Sequence, residues 1–173
     1  MRKGFTLIEL LIVIAILGII ATVVLALLNP GQRMAQTRDA GRISVLLQMG
    51  KSIQSFYTTN NDYPRSDTWG EQLVATGYPK IFPRGIESQS DTSLNCTTNA
   101  LPLSLPTYCY IYDDTAIQNG AIVYSKLESI RQTSKCSGSE AYFVYSTVDG
   151  RGGVLCFSAE PTPWQAGTVT YLD

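Results

Sequence analysis

The chain has 173 residues, with 13 basic and 14 acidic side chains and a formal net charge of −1, a length that suits one globular domain plus an anchoring segment. That balance does not by itself imply nucleic-acid binding. Histidine is absent, which removes the commonest general base and the commonest metal ligand together.

Met1-Arg2-Lys3-Gly4 forms a short basic leader. Behind it, Phe5 to Leu28 reads FTLIELLIVIAILGIIATVVLALL, with one charge, Glu9, and two hydroxyls, Thr6 and Thr22. As a helix this stretch is roughly 36 Å long, at about 1.5 Å per residue. That crosses a hydrocarbon core of about 30 Å with some tilt. The run exceeds the roughly 7–15 residues of a signal-peptide core, and no Ala-x-Ala follows it. A carboxylate at the centre of such a helix costs about 2.5–3.5 kcal/mol, and less near its start. An ionisable residue in that setting calls for a function and a partner.

Gly4-Phe5-Thr6-Leu7-Ile8-Glu9-Leu10-Leu11, placed after a basic leader, resembles the processing and assembly motif of type IV pilins and the related type II secretion pseudopilins. The likeness is close over about the first 30 residues and looser to about residue 64, where Asn61-Asp62-Tyr63-Pro64 resembles the pseudopilin junction after the long helix. The resemblance implies that a prepilin peptidase cuts between Gly4 and Phe5 and N-methylates Phe5. It implies that Glu9 serves assembly, pairing with the new amine on its own chain or on the next subunit. Such pairing relieves the cost of a desolvated carboxylate and can fix axial register between helices. It further implies a helical homopolymer of the chain itself, an inner-membrane assembly platform, and residence in the lipid of the cytoplasmic membrane before assembly. A helix kink at Gly18 and Pro30 on packing belongs to the same expectation. Alternatively, Pro30 and Gly31 simply end the membrane helix.

From Gln32 to Thr59 the pattern is amphipathic. Ile43, Leu46, Leu47, Gly50, Ile53 and Tyr57 recur at spacings of three and four, with Arg33, Arg38, Arg42 and Lys51 read as the polar side. Thr59 to Pro64 is a turn cluster. Thr68-Trp69-Gly70-Glu71 fits a capping box opening a short helix, Trp69 to Thr76, with Gly77 as its stop. Tyr78 to Pro106, with four prolines, reads as a long irregular loop. Tyr108–Tyr112, Ala121–Leu127, Tyr142–Thr147 and Val154–Ser158 read as strands. Asn119-Gly120 and Asp149-Gly150-Arg151-Gly152-Gly153 read as turns between them. The tail, with Pro161, Pro163 and Trp164, covers an edge or lies on the surface.

Four cysteines, none in a Cys-x-x-Cys pair, allow three disulfide connectivities. Cys96–Cys109, tying down the loop, and Cys136–Cys156, bracketing the last hairpin, are favoured over crossed pairings or free thiols. Asp113, Asp114 and Asp149 are weak calcium candidates, since their spacing fits no EF-hand rule and solvated turn carboxylates explain them as well. No phosphate loop, nucleophile–base pair or cofactor motif is present, so a membrane-anchored enzyme is disfavoured.

The expected fold is α+β: a long N-terminal helix, half membrane and half amphipathic, packed on a roughly four-stranded antiparallel sheet with a short extra helix and a long loop. The expected division is leader 1–4, membrane and assembly helix 5–28, amphipathic continuation 29–59 and globular domain 60–173. The expected function is a structural, non-enzymatic subunit of a type IV pilus-like filament. It would be a single-pass precursor in the cytoplasmic membrane and extracellular or periplasmic once assembled. The alternatives are a type II secretion pseudopilin, or a minor or competence pilin that binds DNA or surfaces. Glu9 argues against a tip-initiating role, because some such subunits lack the acid.

Overall fold

The structure, a computed structural model, describes residues 4–65, 68–77, 108–113, 120–164 and 167–172. The chain divides into two units, Met1–Met34 and Ala35–Asp173.

In the first unit, helix α1 spans Leu7–Leu28. Its side chains from Leu7 to Leu27 are all exposed, and the segment is long and apolar enough to cross a membrane. A helix apolar on every side is built for a lipid or helical surround. It passes Gly18 without a break. The interruption is at Asn29, which adopts the left-handed conformation (φ 42°), one that asparagine tolerates better than most residues. Its carbonyl accepts from Gln32 N and Arg33 N at 3.0 and 3.3 Å. Pro30 then opens helix α2, Pro30–Asn60. There its missing N–H has no helical partner to lose.

The second unit is a head in which α2 from Ala35 onward lies on a sheet. The sheet is an antiparallel meander, β1 (Cys109–Asp113), β2 (Gly120–Lys126), β3 (Glu140–Ser146) and β4 (Arg151–Phe157), in the order β1-β2-β3-β4. Helix α3 covers Trp69–Ala75, and a short helix α4, Ile130–Thr133, lies in the β2–β3 connection. Strand alternation sends Tyr110, Val123, Phe143, Tyr145 and Val154 toward α2, where Leu46, Met49 and Ile53 meet them. Gly50 makes this approach possible: a Cβ there would stand 2.2 Å from the Tyr145 ring. The Tyr145 hydroxyl donates to Gln54 Oε1 at 2.9 Å. Trp69 stacks on Tyr110 at 5.0 Å and closes the same core.

Several sequence expectations need correction. Arg42 and Asp39 are buried within the α2 stripe, and Arg38 is engaged with Glu128, so neither Arg38 nor Arg42 belongs to a solvated face. Thr68 makes no side-chain cap bond; its hydroxyl accepts from Gln72 Nε2 at 2.7 Å instead. Gly152 and Gly153 are not turn residues but part of β4. A Cβ on Gly152 would stand 2.8 Å from Phe143, and one on Gly153 would stand 2.5 Å from Tyr171, so side chains from both sheet faces use the space. The turn itself is Thr147–Gly150, with Gly150 at φ 65°. The Tyr78–Pro106 loop, Asn119, Asp114 and Cys96 lie outside the described residues.

The tail covers a face of the sheet and also meets the open edge of β4. On the side of the sheet away from α2, Cys109, Ile122, Tyr124, Tyr142, Val144 and Leu155 pack with Trp164, Val169 and Tyr171. Leu172 adds one bridge to Val154, its N–H donating to the Val154 carbonyl at 2.8 Å. This explains why β2 is buried along nearly its whole length. Cys136 and Cys156 form a disulfide with Cα atoms 5.4 Å apart, which ties the α4 connection to β4. Cys109 is also disulfide-bonded.

Asp149 holds the tail in place. Its Oδ2 accepts from Trp164 Nε1 and from the Tyr171 hydroxyl, both at 2.8 Å, and Oδ1 accepts from Gly167 N at 3.1 Å. Burial pushes this carboxyl up, but the donors from Trp164, Tyr171, Gly167 and Ser146 together outweigh it and hold it below the usual aspartate range. A carboxyl depressed in the folded state contributes stability that is present above its unfolded value, about 3.9, and lost as pH falls through the folded one. Asp149→Ala is expected to cost about 2 kcal/mol or more, since it orphans three donors. Asp149→Asn should flatten the acid limb of stability below about pH 4. Fluorescence of Trp164 followed against pH, with the parent chain alongside, checks both.

Candidate processing and assembly site

The amino-terminal site is built from Gly4, Phe5, Thr6 and Glu9. Gly4, Phe5 and Thr6 precede the helix in non-helical backbone, and Gly4 and Phe5 are exposed. The Gly4–Phe5 bond therefore stands clear of helical hydrogen bonding. Thr6 is the N-cap of α1, in extended conformation. Its hydroxyl accepts from Glu9 N at 3.4 Å, and the Glu9 carboxylate reaches back to accept from Thr6 N at 2.9 Å. The Thr6 hydroxyl also donates to Glu9 Oε2 at 2.8 Å. This is a reciprocal capping box, and it satisfies helix N–H groups that have no intrahelical partner. Both bonds to the carboxylate land on Oε2.

The arrangement fixes the direction of the carboxylate. Thr6 N is the backbone nitrogen one residue on from Phe5 N, so a carboxylate bound to it lies beside the nitrogen that cleavage after Gly4 would free. An ammonium there would find an acid already turned toward the helix end, where a negative charge also suits the helix dipole. Thr6-x-x-Glu9 is itself a capping-box pattern, a signal that the sequence reading passed over. The Thr68–Glu71 copy of the same pattern does not form it.

The remaining candidates are placed as follows. Gly18 is inside α1 with nothing near it, and Pro30 is the first residue of α2. Asp113 ends β1, and Asp149 directs its carboxylate to the tail donors described above. Among the described residues no group of three or more metal-ligating side chains comes together.

Sequence reasoning missed a buried ionic group in the head. Arg42 Nη1 donates to Asp39 Oδ1 at 3.1 Å, while Nη2 stands 3.1 Å from Glu128 Oε1. Arg38 Nε donates to the same Oε1 at 2.6 Å. The backbone N–H groups of Glu128 and Ser129 donate to the two Asp39 oxygens at 3.1 and 2.9 Å. The only signal in the sequence was an arginine and an aspartate at helical spacing from the apolar stripe.

A membrane-length helix capped by its own acid thus precedes an α+β head. Comparisons with known proteins add to this. The model described as "Prokaryotic N-terminal methylation motif" matches residues 1–25. A fimbrial protein of Neisseria meningitidis serogroup A is 39% identical over 89 residues, 50% of this chain and 50% of that protein. The type IV major pilin protein PilE1 of Neisseria gonorrhoeae is 39% identical over 70 residues, 39% of this chain and 40% of that protein. Type II secretion system core protein G of Pectobacterium carotovorum is 30% identical over 83 residues, 48% of this chain and 52% of that protein. The chain thus spans about half or less of the curated relatives it matches. No solved structure matches it. These findings support the type IV pilin and pseudopilin family for this chain.

Proposed function

We propose that this chain is a structural, non-enzymatic subunit of a type IV pilus-like filament. The observation that carries the reading is the Thr6–Glu9 cap at the head of an exposed membrane-length helix, directly after the Gly4–Phe5 bond and inside the matched motif. In this reading residues 1–4 are a leader and the precursor is anchored by α1. A prepilin peptidase cuts after Gly4 and methylates Phe5, and an inner-membrane platform transfers the subunit from lipid into a helical homopolymer. Neighbouring copies bury the face of α1 that the isolated chain leaves exposed, and the heads form the outer surface. Filaments sheared from cells and examined by electron microscopy and mass spectrometry test the assignment. The chain should be a filament component, and filaments should disappear when its gene is deleted.

The similarity to a type II secretion core protein favours one second reading, a pseudopilin. A deletion that leaves surface filaments intact but blocks protein export would select it.

A further inference from the structure

Strand β4 is an outer strand of the sheet, and the tail meets its free edge at one bridge, Val154 with Leu172. Leu172 N donates to the Val154 carbonyl, so the main-chain groups of Val154 point out of the sheet. By alternation those of Cys156 point out too. Continuing the antiparallel bridge sets Tyr171 against Leu155, Thr170 against Cys156 and Val169 against Phe157. The side chains already follow that register. Leu172 belongs to the core on the α2 side with Val154 and Cys156, while Val169 and Tyr171 pack on the other side with Leu155 and Phe157. The segment's own residues, Thr168-Val169-Thr170-Tyr171-Leu172, favour a strand. Yet among the described residues no main-chain hydrogen bond joins Cys156 to Thr170. An open groove of about 210 Å³ lies there instead, lined by Leu155, Cys156, Phe157, Val169, Thr170 and Leu172.

Asp149 is what holds the segment off the edge. Full pairing would bring Val169 to Phe157, about 20 Å along β4 from Arg151. Gly167, however, donates to Asp149 in the turn before Arg151. It is only two residues, at most about 7 Å, from Val169. The tail therefore cannot keep its Asp149 contacts and pair along β4 at once. Trp164 Nε1 and the Tyr171 hydroxyl donate to the same carboxylate, so one side chain governs the choice.

We infer that segment 168–172 is a strap with two seats. In the latched seat, that of this structure, Asp149 holds it and the β4 edge stays open beyond Val154. In the paired seat it leaves Asp149 and closes on β4 as a fifth strand. An open edge is a template for another strand, and a paired edge is not. The strap thus sets whether the head offers an edge to a second chain.

The test is residue-resolved amide exchange of the full chain in detergent, for the parent and for Asp149→Ala. In the parent, Leu172 should be protected, and Cys156 and Thr170 should exchange freely. In Asp149→Ala, Cys156 and Thr170 should slow by about tenfold, the equivalent of one net hydrogen bond each, at every protein concentration. Adding Thr170→Pro, which removes a ladder donor, should return Cys156 to the parent rate. If the β3 amides show Asp149→Ala to be unfolded, Trp164→Phe with Tyr171→Phe removes two of the three latch donors and should give the same slowing. Loss of protection at Leu172 with no gain at Cys156 and Thr170 would mean that the tail simply detaches, which overturns the paired seat. Equal exchange of Cys156 and Thr170 in parent and variant would overturn it as well. Slowing that appears only as protein concentration rises would give the edge to a second copy and overturn closure by the chain's own tail.

Discussion

Asp39→Ala is expected to destabilise the head by about 3–5 kcal/mol. Asp39 is buried, and its two oxygens take Arg42 Nη1 and the N–H groups of Glu128 and Ser129. Truncation leaves those two N–H groups unpaired and a guanidinium that is 1% exposed with half its counter-charge. Removing one member of a desolvated set costs far more than the set contributes against an apolar replacement. A typical domain is stable by only about 5–15 kcal/mol, so the variant should be marginal. Both tryptophans, Trp69 and Trp164, are buried in the head, so their fluorescence in detergent-solubilised full chain reports its unfolding. The midpoint should fall by about 10 °C or more. A midpoint within a degree or two of the parent would mean that the connection is held by something other than this charge set. Replacing Arg38, Asp39, Arg42 and Glu128 together with apolar residues should cost less than Asp39→Ala alone, because no orphaned charge remains.

What could be read from the sequence was what local pattern dictates. The membrane-length helix follows from an unbroken apolar run, the amphipathic continuation from a period of 3.6 and the four strands from β-rich runs between turn signals, and the observed strands lie within three residues of the expected ones. The processing motif is contiguous, so it too was legible. What escaped depends on distant partners. Arg38 and Arg42 looked like solvent residues, because the acid that receives both, Glu128, is about ninety positions away. Asp149 looked like a turn carboxylate until the tail supplied Trp164, Gly167 and Tyr171. Gly152 and Gly153 looked like turn signals because a sequence does not display the rings of Phe143 and Tyr171 that need their space. Of the two Thr-x-x-Glu patterns, only the one at the start of α1 forms the box. At α3 the Thr68 hydroxyl is taken by Gln72.

Glu9→Ala should abolish or sharply shorten filaments while leaving membrane insertion and cleavage after Gly4 intact. Removing an acid from an apolar helix eases insertion, so loss of assembly cannot be put down to a failure to reach the membrane. What the variant loses is the carboxylate that faces the first turn of α1 and, after cleavage, the amine of Phe5. An amine left unpaired in a dry helical bundle costs about 3–5 kcal/mol when fully buried and less near the interface. A filament repeats that cost at every subunit added, so a penalty tolerable once stops growth. Glu9→Gln separates charge from capping. It keeps a side-chain oxygen that can accept from Thr6 N but removes the negative charge. The account expects Glu9→Gln to assemble poorly and wild-type filaments to shorten when it is co-expressed. Filaments of normal number and length from both variants would show that the charge pair is not what Glu9 provides.

The most direct measurement is the amino-terminal sequence and mass of the subunit recovered from purified filaments. The account predicts a chain that begins at Phe5, carries one methyl group on its amine and continues through Thr6 and Glu9 unmodified. Assembled subunits that retain Met1 to Gly4, or filaments from the same cells that lack this chain, would contradict it.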